Sequence, residues 1–169
     1  MPTDIVSKKQ ILAPAVAGRK LRRMAFQVAE NNEGEQGLII AGINGNGVVL
    51  AQNLMAELQQ IVDIPLQLIT INVNKKAPLE ATVSEEIDFN GKNIIVVDDV
   101  SNSGKTLLYA LKPFLSHLPK KIQTLVLVER SHKLFSIQPD YVGLSVATTL
   151  QEHIAVEIEG SEITGAWLY

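Results

Sequence analysis

A wholly apolar, β-branched run, Ile94-Ile95-Val96-Val97, ends on two adjacent carboxylates, Asp98 and Asp99. A short polar turn follows at once, Val100-Ser101-Asn102-Ser103-Gly104-Lys105-Thr106. Such a run is too short for a helix and reads as a strand buried on both faces, as in parallel sheets covered by helices. Open α/β sheets place ligands beyond the carboxyl ends of their strands. Two acids at such an end, beside a loop of hydroxyls and backbone N–H groups, can hold a sugar and a phosphate side by side. Ser101 to Thr106 is therefore expected to cradle a phosphate, with the following helix offering further N–H donors.

The rest of the chain alternates in the same manner. Pro14 suits a first helical turn, and Val16, Leu21, Met24, Ala25 and Val28 give an apolar helix face up to Asn31-Asn32. Gly37 to Ile43 reads as a buried strand, and Asn44-Gly45-Asn46-Gly47 as a tight turn requiring positive backbone angles. Val48 to Ile61 is helical by pattern and Leu66 to Val73 strand-like, whereas Lys75 to Glu86 is polar, lacks periodicity and is expected to be a mobile loop. Thr106 to His117 should be a helix weakened at Pro113, and Ile122 to Val128 another strand. Tyr141 to Val146, Ile154 to Ile158 and Ile163 to Leu168 are expected to finish the sheet, the last two as a hairpin. The expectation is an α/β fold with a mainly parallel central sheet flanked by helices, in a single domain spanning 1–169.

Composition narrows the chemistry. The 169 residues include no cysteine, which excludes a thiolate nucleophile, a disulfide framework or a thiolate metal cage. No apolar segment approaches the roughly 18 residues that span a bilayer, and Met1-Pro2-Thr3-Asp4 lacks the features of a signal peptide. A cytoplasmic protein without membrane attachment is expected. The net charge of -3 argues against a surface committed wholly to nucleic acid. Lys8, Lys9, Arg19, Lys20, Arg22 and Arg23 nevertheless crowd the first part of the chain. They could neutralise several RNA phosphates, although such a run more often forms a solvated helix face or pairs with acids elsewhere.

Gly104-Lys105-Thr106 matches the tail of the nucleotide-triphosphatase pattern G-x-x-x-x-G-K-[ST]. That reading fails at Asp99, which stands where the first glycine would be; a carboxylate in a phosphate nest repels the ligand. Apolar strand, paired acids, hydroxyl-rich loop and Gly-x-Thr instead resemble the phosphoribosyl pyrophosphate (PRPP) signature of the type I phosphoribosyltransferases. The resemblance implies that Asp98 and Asp99 take the ribose 2- and 3-hydroxyls. It also implies that Ser101, Asn102, Ser103, Gly104, Lys105 and Thr106 bind the 5-phosphate, Ser103 and Thr106 through hydroxyls.

Other segments narrow the likeness. Lys9-Gln10-Ile11-Leu12 with Arg19 and Arg23, Gly42-Ile43 with Gly47, Leu127 to Lys133, and Asp140-Tyr141-Val142-Gly143 are similar to the PyrR family in order and spacing. Those proteins are bifunctional pyrimidine operon attenuators and uracil phosphoribosyltransferases. The implied reaction is attack of a base nitrogen on the anomeric carbon of PRPP as pyrophosphate leaves. Mg²⁺ bound with PRPP is the implied cofactor, with Asp98 and Asp99 as its protein oxygens, since Mg²⁺ takes few carboxylates when substrate phosphates supply other ligands. Asn44, Gly45, Asn46 and Gly47 would hold the pyrophosphate through main-chain N–H groups. Arg130 would reach base or pyrophosphate. The implied partners are PRPP and a nucleobase or nucleotide, in a homodimer or tetramer; an RNA-binding regulator sensing PRPP or nucleotides is the alternative reading.

Departures from the family fall around this signature. Gly45-Asn46 replaces its Thr-Arg pair, removing a cation from the leaving group. Asn72-Val73-Asn74-Lys75-Lys76 replaces its Tyr-Arg-Asp-Asp segment, so Lys75 or Lys76 is expected to supply the missing charge when the loop closes. Asn102 stands where purine-type relatives carry an aspartate; an amide cannot act as a general base, which favours a pyrimidine acceptor. The base-contacting edge falls by position around Leu144 to His153, where Ala147-Thr148-Thr149-Leu150 has no aromatic side chain to stack a base, and Tyr141 is expected to pack within its strand.

Overall fold

The structure, a computed structural model, describes residues 7–149 and 152–169. In chain order its elements are β1 (Lys9–Leu12), α1 (Pro14–Asn31), β2 (Leu38–Ile43), α2 (Asn46–Gln59), β3 (Leu66–Val73), β4 (Ala81–Val83) and β5 (Asn93–Ser101). There follow α3 (Lys105–Tyr109), α4 (Lys112–Leu115), β6 (Lys121–Arg130), β7 (Tyr141–Val146), β8 (Ile154–Glu159) and β9 (Glu162–Leu168). A six-stranded sheet in the order β4-β3-β2-β5-β6-β7 forms the centre. All its pairings are parallel except that of the short edge strand β4, which is antiparallel to β3.

The inner strands are apolar throughout because both faces are covered. Ile40, Ile95, Val97, Leu125 and Leu127 pack with Leu21 and Met24 of α1 and Leu50 and Leu54 of α2. Residues one step along the strands, Ile39, Ala41, Ile43, Ile94 and Val96, turn to the opposite layer with Leu107 and Phe114 of α3 and α4. Each of the larger of these side chains, once removed from water, contributes about 1.5–3 kcal/mol. This two-sided packing fixes the level at which β5 surfaces with Asp98 and Asp99. Among the described residues, no helix is long and apolar enough to cross a membrane.

Four details depart from the sequence reading. The helix expected over Thr106 to His117 is two short pieces, α3 and α4. Pro113 has no N–H for the Tyr109 carbonyl and its ring crowds that oxygen. Tighter i→i−3 bonds take over, Leu111 N–H to Leu108 O at 3.2 Å and Phe114 N–H to Leu111 O at 3.0 Å.

The hairpin of β8 and β9 forms, but it does not finish the central sheet. It joins β1 in a separate three-stranded antiparallel sheet, order β1-β9-β8. Leu12, Val156 and Ala166 of this sheet are buried in the same cluster as α1 and α2, so burial of one apolar face draws it onto the helical layer. β1 itself lies in a stretch for which no strand is expected. Finally, the segment from Lys75 to Glu86 contains β4, which pairs Ala81, Thr82 and Val83 with Val73, Asn72 and Ile71.

Candidate active site

β5 delivers the two acids to the carboxyl end of the sheet in different surroundings. Asp98 is only 3% exposed. Its Oδ1 accepts the Asp99 backbone N–H at 2.9 Å and the Lys75 ammonium at 3.4 Å. Burial first, and then the negative charge of Asp99, push the Asp98 carboxyl up to about 8, while Lys75 pulls the other way. Asp99 is half-buried; its Oδ1 accepts the Val100 N–H at 2.8 Å and its Oδ2 the Asn46 side-chain amide at 3.1 Å. One acid is sunk and pressed toward its neutral form, and the other is oriented by neutral donors.

Past the acids, Ser101 closes β5 with its Oγ buried and unpartnered. Gly104, at φ 87°, turns the chain into α3. The Lys105 N–H donates to Ser103 Oγ at 3.3 Å, so that hydroxyl supports the loop while keeping its own O–H as a donor, and Gly104 holds the cap position. The Ser103 carbonyl accepts the N–H groups of Leu134 and Phe135 at 3.0 and 3.1 Å. A Cβ on residue 104 would lie 2.8 Å from Ile137 Cγ2. The segment Leu134 to Ile137 thus braces the loop, a role the sequence reading missed; its signal was the apolar Phe135 and Ile137 in a polar stretch. With only five residues, Lys105–Tyr109, α3 offers little helix dipole at this loop.

Lys75, Asp98, Asp99, Ser101, Asn102, Ser103, Gly104, Lys105 and Thr106 line one cavity of about 390 Å³, with Ile154 of β8 on its wall. A larger hollow of about 520 Å³ opens at the other end of the sheet, beside Glu35, Lys92 and Asn93. The acid pair and the carboxyl ends of the strands make the first the candidate site.

Asn44 is tied to β3: its N–H donates to Ile71 O at 2.9 Å and its Oδ1 accepts the Val73 N–H at 3.0 Å. Gly45 has φ 89°, whereas Asn46 and Gly47 already belong to α2, so only one position of this turn needs a positive angle. Gly47 is required for another reason. A Cβ there would lie 2.8 Å from Val97 O and 3.1 Å from Asp98 Oδ1, so only glycine lets α2 press against the acid pair.

Lys76 is exposed, its N–H held by Asn74 Oδ1 at 3.0 Å, and it lies outside the cavity wall. Arg130 also lies off that wall, its guanidinium donating to the Thr149 carbonyl. Leu150, within the expected base-contacting edge, lies outside the described residues. Nearby Thr148 Oγ1 and Arg130 Nε are buried without partners. Tyr141 packs within β7, donating to Gln123 Oε1 at 2.7 Å. Among the described residues, no cluster of three or more His, Cys, Asp or Glu side chains could hold a metal ion. The acid pair supplies the few hard oxygens that suit a Mg²⁺ ion otherwise held by phosphates and water.

The basic amino-terminal run is partly consumed by structure. Lys8 pairs with Glu157, Arg22 with Glu57 at 3.1 Å, and Arg23 donates to the carbonyls of Val142 and Gly143 on the edge strand β7, each at 3.0 Å.

Comparison with known proteins agrees with this geometry. The family model of the phosphoribosyl transferase domain matches residues 7–159. Bifunctional protein PyrR 1 of Lactiplantibacillus plantarum is 32% identical over 163 residues, covering 89% of this chain and 91% of that protein. Among solved structures, a Trypanosoma cruzi hypoxanthine phosphoribosyltransferase superposes with a TM-score of 0.77 at 14% identity, covering 93% of this chain and 94% of that one. A Bacillus anthracis hypoxanthine-guanine phosphoribosyltransferase gives 0.74 at 19% identity, covering 94% and 96%. At such identities the structural likeness speaks for the fold, and it is the same fold. With family, fold and acid-ended strand in agreement, the chain belongs to the type I phosphoribosyltransferases and is PyrR-like among them.

Proposed function

We propose that the chain transfers the phosphoribosyl group of PRPP to a nucleobase, pyrimidine before purine, with release of pyrophosphate. The observation that carries this is the single cavity into which Asp98, Asp99 and the loop Ser101 to Thr106 converge. Asp98 and Asp99 accept hydrogen bonds from the ribose hydroxyls, and Ser103, Lys105 and Thr106 hold the 5-phosphate. The base nitrogen bonds to the anomeric carbon as the bond to pyrophosphate oxygen breaks. Carboxylates close to the sugar favour the positive charge it develops, while cations must meet the charge on the leaving group.

Lys75 and Lys105 are the cations on the cavity wall; with Lys105 on the 5-phosphate, Lys75, 43% exposed and 3.4 Å from Asp98, is the one to meet the leaving group. Lys76 follows it on the same loop, and the main chain of Asn44 to Gly47 faces the same end of the sheet. Arg130, off the cavity wall and bonded to the Thr149 carbonyl, reaches base or pyrophosphate only by giving up that bond. Asp98 and Asp99 would also hold Mg²⁺ arriving with PRPP, which supplies charge neutralisation for the departing pyrophosphate. Asn102, on the cavity wall, can hydrogen-bond a base but cannot take its proton, in keeping with a pyrimidine acceptor. A homodimer or tetramer is proposed with this activity, in keeping with the exposed Leu115 and Leu118.

Labelled PRPP and Mg²⁺ incubated with uracil, hypoxanthine and guanine test the reading. Formation of the uracil nucleotide with pyrophosphate release is expected, and absence of nucleotide product with every base would overturn it.

A further inference from the structure

Asn46 lies in the segment whose main-chain N–H groups are expected to hold pyrophosphate, and its side chain turns to a different task. Its amide nitrogen donates to Asp99 Oδ2 at 3.1 Å and to the Val156 carbonyl of β8 at 2.9 Å. Both hydrogens of a primary amide are thereby used. The first bond points the Asp99 carboxylate, whose other oxygen is held by the Val100 N–H. The second reaches across to the three-stranded sheet, whose neighbouring Ile154 lines the cavity. Asn46 therefore joins three separate pieces: the start of α2, the acid-bearing end of β5, and the second sheet. Its own position is fixed from below, since Gly47 seats α2 against Val97 and Asp98 with no room for a Cβ.

We propose that Asn46 is a positioning residue for PRPP: its amide sets the direction of the Asp99 carboxylate and ties it to β8, shaping the diol-binding pair before ligand arrives. The inference rests on the proposed PRPP reading and adds a residue acting through Asp99. It also gives the exchange of a cation for an amide at this position a use. An arginine would reach outward to a phosphate, whereas the short amide turns inward to the acid that meets the sugar.

The test compares Asn46→Ala, Asn46→Asp and Asn46→Gln with the unaltered chain by calorimetric titration with PRPP and Mg²⁺, alongside thermal melting and the KM for each substrate. A hydrogen bond to a charged group corresponds to a loss of about 10- to 100-fold in PRPP affinity for the alanine variant. The aspartate variant, which turns a donor into a second carboxylate facing Asp99, should lose more. The glutamine variant, which keeps both donors one methylene further out, should recover part of it. KM for PRPP should rise while KM for the base stays near its original value.

Equal PRPP affinity in all four proteins would overturn the proposal and leave the PRPP reading standing, as would lowered melting temperatures without any change in affinity. Failure of the unaltered chain to bind PRPP would remove both. If the alanine variant does not fold, the aspartate and glutamine variants, close in shape, still decide between the outcomes.

Discussion

Replacing Asp98 by asparagine should stabilise the ligand-free protein, and increasingly so as the pH rises. The buried carboxyl is raised from 3.8 to about 8, chiefly by burial and then by Asp99. Between those values the unfolded chain has lost a proton that the folded chain keeps, so unfolding gains on folding as the pH increases. This contribution is fully favourable below the unfolded value and is lost as the pH rises toward the folded one, at about 1.4 kcal/mol per unit. From about pH 5 to 7.5 the wild type should therefore lose ~3 kcal/mol relative to the variant, the Lys75 charge being already contained in the raised value. Asparagine keeps the shape of the side chain and carries no such slope. Urea unfolding across this range, followed by fluorescence of the single tryptophan, Trp167 on β9, measures the difference. Parallel stability curves for the two proteins would refute the reasoning. The same substitution should weaken PRPP binding, since function here requires an acid in a place that folding disfavours.

Gly47→Ala should cost about 1–3 kcal/mol, as expected of an overpacked site, because the new methyl meets Val97 O and Asp98 Oδ1; denaturant melts should show it, with loss of PRPP affinity as α2 lifts from the acids. Lys75→Ala should raise the Asp98 carboxyl further, since the lysine charge is the larger of the two influences that lower it, the other being the Asp99 N–H. In single-turnover assays that variant should slow transfer more than Lys76→Ala does, and an unchanged rate would remove Lys75 from the leaving-group site.

What could be read without coordinates was local. Ile94 to Val97 announces a strand covered on both faces, and Asp98-Asp99 with Ser101 to Thr106 announces the end where a cavity opens, because burial and polar side chains reside in consecutive residues. β4 escaped since the Ala81–Val83 strand is too short for any periodicity. β1 escaped because its Lys9 and Gln10 are exposed and its partner Leu168 lies at the far end of the sequence. The hairpin of β8 and β9 was legible as a hairpin, but which sheet it joins depends on the α1 and α2 surface that Val156 and Ala166 bury. Within the site, positions on one loop could be foreseen. The bond from Asn46 to Val156 and the brace from Leu134 and Phe135 to Ser103 could not, since each spans elements whose approach only the finished packing decides.

The pairing of Lys9 with Leu168 bears on the order in which the molecule assembles. Parallel β2, β5 and β6 can associate through crossovers of moderate length, but β1 must wait for β9, and closing so long a loop carries the larger entropy cost. β8, paired to β9, supplies both the Val156 carbonyl that anchors Asn46 and the Ile154 wall of the cavity. The acid pair and the loop Ser101 to Thr106 can thus be in place while the pocket is still open on one side. The pocket wall is therefore completed only when β8 pairs with β9, a step that depends on contacts between elements far apart in the sequence.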